Sequence, residues 1–330
     1  MKSPQYPEHF SLSHLPTPLK RLDNFSKLIH PYSITVKRDD LSGIELSGNK
    51  IRKLDFLLKD AIMQGAKRII TCGGLQSNHC RTTAYAAIQC GLKVTLVLRG
   101  QENKPITGNY LLSKMSGAEI ILVNEETYKN VDTLMEEYAA KGTEKVYVIP
   151  EGGSNETGAW GYVKCFFELQ EQILDNNIDC DTIAVASGSG GTHAGLLIGK
   201  LLARSPLNVV SVNVCDDAEY FVNKIDGILD RFEKRYKQGL TWKRSDINVI
   251  DGFVGGGYGK ISGPEEKTIL TLLKYEGIIL EPVYTAKAFG GIQQLMSKAV
   301  FPGKNIIFIH TGGIFGVFPY WQEMLNENRD

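Results

Sequence analysis

The stretch DTIAVASGSGGTHAGL, residues 181–196, sets the architecture. Residues 181–188 form an apolar run rich in β-formers that breaks at glycine. A helical pattern then runs from about 192 to 203. The same unit recurs along the chain. KRIITCGG (67–74) reads as a strand into a glycine turn, followed by a helix over SNHCRTTAYAAIQCG (77–91). KVTLVLRG (93–100) and AEIILVN (118–124) read as strands, with helices expected near 108–117 and 131–141. KVYVIPEGGS (145–154) leads to a helix near 157–175; NVVSVNVCD (208–216), SITVKRDD (33–40) and KNIIFIHTGG (304–313) are further strands. Repeated strand–turn–helix units predict an α/β fold with parallel sheets. The units between 48 and 161 are expected to form one, smaller domain, and residues 1–47 with 162–330 a larger one.

The 330 residues are 42% hydrophobic and 22% charged, and 37 basic residues balance 37 acidic ones. A zero net charge points to neither nucleic acid nor an anionic membrane. The N-terminus MKSPQYPEHFSLSHLPTPLK has no apolar signal region, which predicts a cytoplasmic protein. The six cysteines, Cys72, Cys80, Cys90, Cys165, Cys180 and Cys215, lack metal-ligand spacing and are expected to be reduced thiols.

Four strands end in loops of glycine and small hydroxyl residues: CGGLQSNH, PEGGSNETG, ASGSGGTHAG and HTGG. Ligands of open α/β sheets bind at such strand ends. In the loop 188–192, the N–H groups of Gly188, Ser189, Gly190, Gly191 and Thr192 suit a phosphate at a helix N-terminus. The plainer reading is a tight turn. Ser77 and Asn78 stand at the start of another helix, where free first-turn N–H groups suit a carboxylate; simple capping is the alternative. The motif G-x-x-x-x-G-K-S/T is absent. A dinucleotide fingerprint fits Gly188 and Gly190 but meets His193 at its third glycine, with Asp216 or Asp217 as the distant acid. His79, His193 and His310 read as packed core histidines rather than a metal cluster, and no metal is expected. In FVGGGYGK (253–260) and PVYTAKAFGG (282–291), Tyr258 and Tyr284 matter if both face one cleft.

SGNKIRKLDF (47–56) places Lys50, Arg52 and Lys53 at a helix N-terminus, where acids are preferred. Neighbouring cations disfavour a charged amine, so the pair Arg52 and Lys53 is expected to lower the Lys50 pKa and make it a nucleophile. A reactive lysine, a phosphate cup and a carboxylate corner together suit a Schiff base with pyridoxal phosphate; a surface lysine is the plain alternative.

At these residues the chain resembles the D-cysteine desulfhydrase and 1-aminocyclopropane-1-carboxylate deaminase family of pyridoxal phosphate enzymes. The resemblance runs nearly end to end through PTPLKRL (16–22), VKRDD (36–40), SGNKIRKLDF, QSNH (76–79), VIPEGGSN (148–155), ASGSGGTHAGL (186–196), GGYG (256–259), EGIILEPVYTAKA (276–288) and FIHTGG (308–313). It implies the tryptophan synthase β-like fold, called fold type II: two open twisted α/β domains with the cofactor between them. It implies that Lys50 carries the cofactor and moves the Cα proton. Asn78 would meet the cofactor's 3-hydroxyl and the loop 188–192 its phosphate. Tyr284 would lie by the ring, with Thr285 also on the cofactor and Thr311 at the pyridine nitrogen. Ser77, Asn78, His79 and Tyr258 would face the substrate. A homodimer is expected.

Within the family, ring-opening deaminases typically read PVYEGK and HLGG; this chain reads PVYTAK and HTGG. Thr285 and Thr311 resemble the desulfhydrase pattern. A carboxylate at the pyridine nitrogen keeps it protonated and strengthens the electron sink, whereas a hydroxyl only hydrogen-bonds; thiolate elimination needs less electron withdrawal than carbon–carbon cleavage. Ala286 replaces a usual glycine, and the tail IFGVFPY (314–320) is closer to the plant branch. The expected activity is α,β-elimination on a small D-amino acid, D-cysteine first, to pyruvate, hydrogen sulfide and ammonia. The alternatives are the cyclopropane deaminase, another fold type II reaction such as racemisation or dehydration, a nicotinamide-binding oxidoreductase, and a silent binding protein.

Overall fold

The computed structural model describes residues 3–321 of the chain. The N-terminal part holds β1 (Leu19–Arg21), α1 (Asp23–Ser26), β2 (Ser33–Lys37) and α2 (Asn49–Met63). There follow β3 (Arg68–Gly74), α3 (Asn78–Gln89), β4 (Lys93–Arg99), α4 (Gly108–Met115) and β5 (Glu119–Val123). Then come α5 (Glu125–Tyr128), α6 (Val131–Lys141), β6 (Val146–Val148) and the long α7 (Glu156–Asp175). The remainder runs β7 (Thr182–Ser187), α8 (Gly191–Ala203), β8 (Asn208–Asn213), α9 (Ala218–Tyr236), β9 (Asn248–Ile250), α10 (Gly263–Glu276), α11 (Thr285–Ser297) and β10 (Asn305–Ile309).

These strands form two sheets. One has the order β5-β4-β3-β6 and is parallel throughout; the other has the order β1-β2-β10-β7-β8-β9, with β1 alone antiparallel. The central strands RIITCGG, TIAVAS and NIIFI are apolar along nearly their whole length because helices cover both faces. In register, Ile307 of β10 lies between Thr35 of β2 and Ile183 of β7.

An apolar cluster of Phe56, Trp160, Phe167, Leu197, Phe221 and Phe232 joins α2, α7, α8 and α9, so helix packing ties one sheet's helices to the other's. The strands of the smaller sheet fall within 48–161 and those of the larger outside it, while α7 runs through the junction. The carboxyl ends of β3, β6, β7 and β10 open toward one cavity between the sheets.

Candidate active site

The cavity, about 310 Å³, is lined by Lys50, Ser77, Asn78 and His79, by Gly188, Ser189, Gly190 and Thr192, and by Tyr258, Tyr284 and Thr311. Residues from six separate loops or helix starts of the sequence therefore meet at one place. Lys50 comes from the first turn of α2. The residue before that helix is Gly48, at φ 107°, and a Cβ there would stand 2.7 Å from Thr311 O. Only glycine allows this approach. It lets Asn49 N donate to Thr311 O at 3.1 Å, stitching the lysine's helix to the end of β10.

Lys50 Nζ donates to Asn49 Oδ1 at 3.1 Å and lies 5.8 Å from the centre of the Tyr284 ring. Its pKa is lowered to about 8, chiefly by burial. The charges of Glu281 and Glu151 oppose this, and the Arg81 guanidinium, brought in by α3, adds to it. The sequence expectation about its neighbours is thus corrected. Arg52 turns away to bond Asp39 and Glu168, and Lys53 donates to Gly152 O at 3.0 Å and Ser154 Oγ at 3.3 Å. On a helix, Arg52, two positions on, points in another direction from Lys50, whereas Lys53, three positions on, shares its face. Burial and repulsion from Lys50 lower the Lys53 pKa; the Lys50 shift itself comes from burial and Arg81.

At the β7 end, Gly190 adopts a left-handed conformation and α8 begins at Gly191 without any side-chain cap. Its first-turn N–H groups and positive dipole end are thereby left for a ligand. A Cβ on Gly188 would lie 2.6 Å from Tyr284 Cε1, so the loop passes flat against that ring. Asn49 Nδ2 donates to Thr192 Oγ1 at 3.0 Å and ties the lysine's turn to this loop. Ser189 and Ser154 share a 2.8 Å hydroxyl contact.

Ser77 caps α3, its Oγ accepting from Cys80 N at 3.2 Å. Asn78 Oδ1 accepts from Asn109 Nδ2 at 2.8 Å, which orients the amide. The Tyr258 and Tyr284 hydroxyls are 2.7 Å apart. Tyr258 rides on an irregular loop, 251–262, that Lys287 clamps by donating from Nζ to Val254 O at 2.8 Å and Gly257 O at 2.7 Å.

His79 lines the cavity, yet its ring contacts the Thr71 and Thr83 hydroxyls at 2.8 and 3.4 Å, and burial holds it neutral. His310 bonds Ile279 O and Gly312 N. Thr285 departs from expectation. It is fully buried off the cavity wall, its hydroxyl donating to Glu281 O and accepting from Glu281 N at the start of α11. The helix start turns its side chain inward, and Thr311 is the threonine that reaches the cavity. Sequence reasoning passed over Asn49, Arg99, Tyr128, Glu151 and Glu281. Glu281 accepts from the N–H groups of Val283, Tyr284 and Thr285, and burial pushes its carboxyl up to about 7. The carboxylate thereby satisfies free N–H groups where α11 begins.

The model of the family described as "Pyridoxal-phosphate dependent enzyme" matches residues 10–312. The chain belongs to this family. The enzyme is 44% identical to the "Putative 1-aminocyclopropane-1-carboxylate deaminase" of Thermotoga maritima over 311 residues, 93% of this chain and 96% of the relative. It is 38% identical to the "Bifunctional D-cysteine desulfhydrase/1-aminocyclopropane-1-carboxylate deaminase, mitochondrial" of Arabidopsis thaliana, covering 96% of this chain and 81% of that one. A solved structure, "Crystal Structure Analysis of the ACC deaminase homologue", superposes with a TM-score of 0.87 at 38% identity, covering 98% of this chain and 96% of that one. The fold is fold type II, and the enzyme depends on pyridoxal phosphate.

The cavity fits that group. Ser187 Oγ and His193 Nε2 are buried on its wall without a hydrogen-bond partner among the described residues. An uncapped helix start for a phosphate, a softened amine and an aromatic wall lie along one cavity. The amine's pH response follows. A lowered lysine pKa means that the neutral, nucleophilic form is reached above about 8. Uptake of pyridoxal phosphate by the apoprotein is therefore expected to quicken about tenfold per pH unit below 8 and to level off above it. Absorbance stopped-flow between about pH 6 and 9.5 reads this. A rate still climbing at the top of that range would mean an ordinary lysine.

Among the described residues no helix is long and apolar enough to cross a membrane. All six cysteines are free thiols.

Proposed function

We propose that the enzyme is a lyase for small D-amino acids, D-cysteine first, yielding pyruvate, hydrogen sulfide and ammonia. The observation that carries this is the softened Lys50 amine on a cavity that Thr311 also lines, at the position where ring-opening deaminases typically read leucine. Lys50, Asn78, Tyr284, Thr311 and the loop from Gly188 through Ser189, Gly190 and Gly191 to Thr192 would hold the cofactor. Bound there, pyridoxal phosphate supplies an electron sink for the pair left when Cα loses its proton.

The chain's own part is to position and to move protons. Ser77, Asn78 and the first-turn N–H groups of α3 grip the substrate carboxylate, with Tyr258 over the side chain. Lys50 Nζ takes the Cα proton. The electron pair becomes the Cα–Cβ double bond as the Cβ–S bond breaks, and the thiolate leaves and is protonated. The released enamine takes up water to give pyruvate and ammonium. Tyr284 and Tyr258, hydroxyl to hydroxyl, keep water from the reacting carbon.

A cytoplasmic enzyme with free thiols agrees with this reading, as does division into residues 1–47 with 162–330 and residues 48–161. A homodimer is supported by the exposed apolar side chains Ile44, Leu111, Met115 and Phe318.

The test is product analysis on the holoenzyme. D-cysteine is expected to give sulfide and pyruvate in equal amounts, faster than 1-aminocyclopropane-1-carboxylate gives 2-oxobutyrate. Release of 2-oxobutyrate without sulfide would overturn the proposal in favour of ring opening.

A further inference from the structure

We propose that Arg99 reads a second negative charge, so that the site accepts small amino acids whose side chain bears an anionic group. This rests on the amino-acid reading above and names a substrate class within it.

Arg99 closes β4 and lies on the wall of two neighbouring cavities, the one already described and another of about 560 Å³. Asn78, Tyr258 and Tyr284 also line both, so the hydroxyl-bonded tyrosine pair stands between the two spaces. The guanidinium lies 4.9 Å from the centre of the Tyr128 ring and 5.5 Å from that of Tyr258. Cation–π attraction holds it there without using its N–H donors.

Among the described residues the Arg99 side chain has no hydrogen bond and no ion pair; its backbone oxygen accepts from Leu75 N at 3.1 Å. Arg68, at the other end of the neighbouring strand, shows the ordinary outcome, with Glu144 and Glu119 at 2.6 and 2.9 Å. A half-buried guanidinium with five open donors is matched to a carboxylate or a similar planar anion.

The acids on these walls do not neutralise it. Glu281 is engaged with three backbone N–H groups, and Glu151 accepts from the Tyr128 hydroxyl at 2.7 Å. Asp216 also lines the first cavity but makes no ion pair with Arg99. Lys104 adds a second cation to the outer cavity. The substrate's own carboxylate is assigned to the Ser77–Asn78 corner, which leaves Arg99 for the side chain. Tyr258, against the guanidinium and on the same cavity wall as Ser77 and Asn78, lies between the two charges.

D-alanine and D-aspartate separate this from other roles, since neither carries a leaving group on Cβ and binding is read without elimination. Calorimetry on the holoenzyme is expected to give D-aspartate an advantage of about tenfold or more, the scale of one charge-assisted contact. Arg99→Gln should bring the ratio to about one, and Arg99→Lys, which keeps the charge without the planar fork, should retain part of it. Equal binding of the two ligands by the unaltered enzyme overturns the proposal. So does a preference that survives Arg99→Gln, or an equal weakening of both ligands, which would put the substrate's α-carboxylate on Arg99. Sulfide release from D-cysteine is measured on the same preparation. Sulfide without a charge preference removes only the Arg99 assignment, and a preference without sulfide removes only the elimination.

Discussion

Lys50→Ala is expected to lower turnover of D-cysteine by about a thousandfold or more, within the range of a lost general base and nucleophile. That is about 4 kcal/mol on the barrier. The other nearby lysines, Lys224 on the same cavity wall and Lys53 on the same helix, are engaged elsewhere. Lys53 is held by Gly152 O and Ser154, and Lys224 stands over the Tyr220 ring at 5.0 Å. The control is the melting point of the two apoproteins. Burial holds the folded Lys50 amine below its ordinary pKa, so at neutral pH its charged form works against folding. Removing it is expected to leave the apoprotein no less stable, a site residue kept at some expense of stability. A variant that loses turnover and melts far lower would have lost its fold instead. Turnover within tenfold of the unaltered enzyme would remove Lys50 from the chemistry.

The sequence made the strand ends legible because buried parallel strands must be apolar and their loops must bend sharply. The runs at 68–74, 182–187 and 305–309 each stop at small residues, and the cavity lies there. Helix α9 is not among the elements expected from the sequence, although Phe221, Ile225, Ile228, Leu229 and Phe232 recur at helical spacing behind the cap Asp217. Helix α10 likewise carries a capping box, Ser262 with Glu265, and closes at Gly277. These were readable signals. Other facts were not local. Arg52 meets Glu168 across 116 residues of chain, and nothing in SGNKIRKLDF reveals that partner. Thr285 looks like a site residue beside Tyr284, and only the direction in which α11 starts decides that it points inward. Burial, which sets the Lys50 pKa, belongs to the assembled fold and to no single stretch.

That distant partner gives the second large effect. Asp39→Ala is expected to destabilise the protein by about 3–5 kcal/mol, as breaking a buried charge cluster does. Arg52 donates to Asp39 from Nε at 2.9 Å and Nη2 at 2.8 Å, and to Glu168 from Nη1 at 2.8 Å. Lys37 donates to the same Glu168, and the Tyr162 and Thr17 hydroxyls donate to Asp39 at 2.5 and 2.7 Å. Two cations and two carboxylates thus cancel where Arg52, Asp39 and Lys37 are at most 1% exposed. Burial pushes the Asp39 carboxyl up, but Arg52, Lys37 and Tyr162 outweigh it and leave its pKa below the ordinary value. Its stabilisation is therefore full at neutral pH and is lost as pH falls through the carboxylate range. Deleting Asp39 leaves Arg52 with excess positive charge in the interior. The melting temperature should fall by about 4–7 °C, and a drop under about 2 °C would deny the cluster this role. Replacing Asp39 by leucine and Arg52 by methionine together removes one charge of each sign, and that double variant should melt above Asp39→Ala. Because Arg52 lies two residues beyond Lys50 on α2, the same pair of variants asks whether the cluster also aims the amine. A double variant that regains stability but not turnover would assign it that positioning role; recovery of both would make it a structural anchor for the junction of β2, α2 and α7.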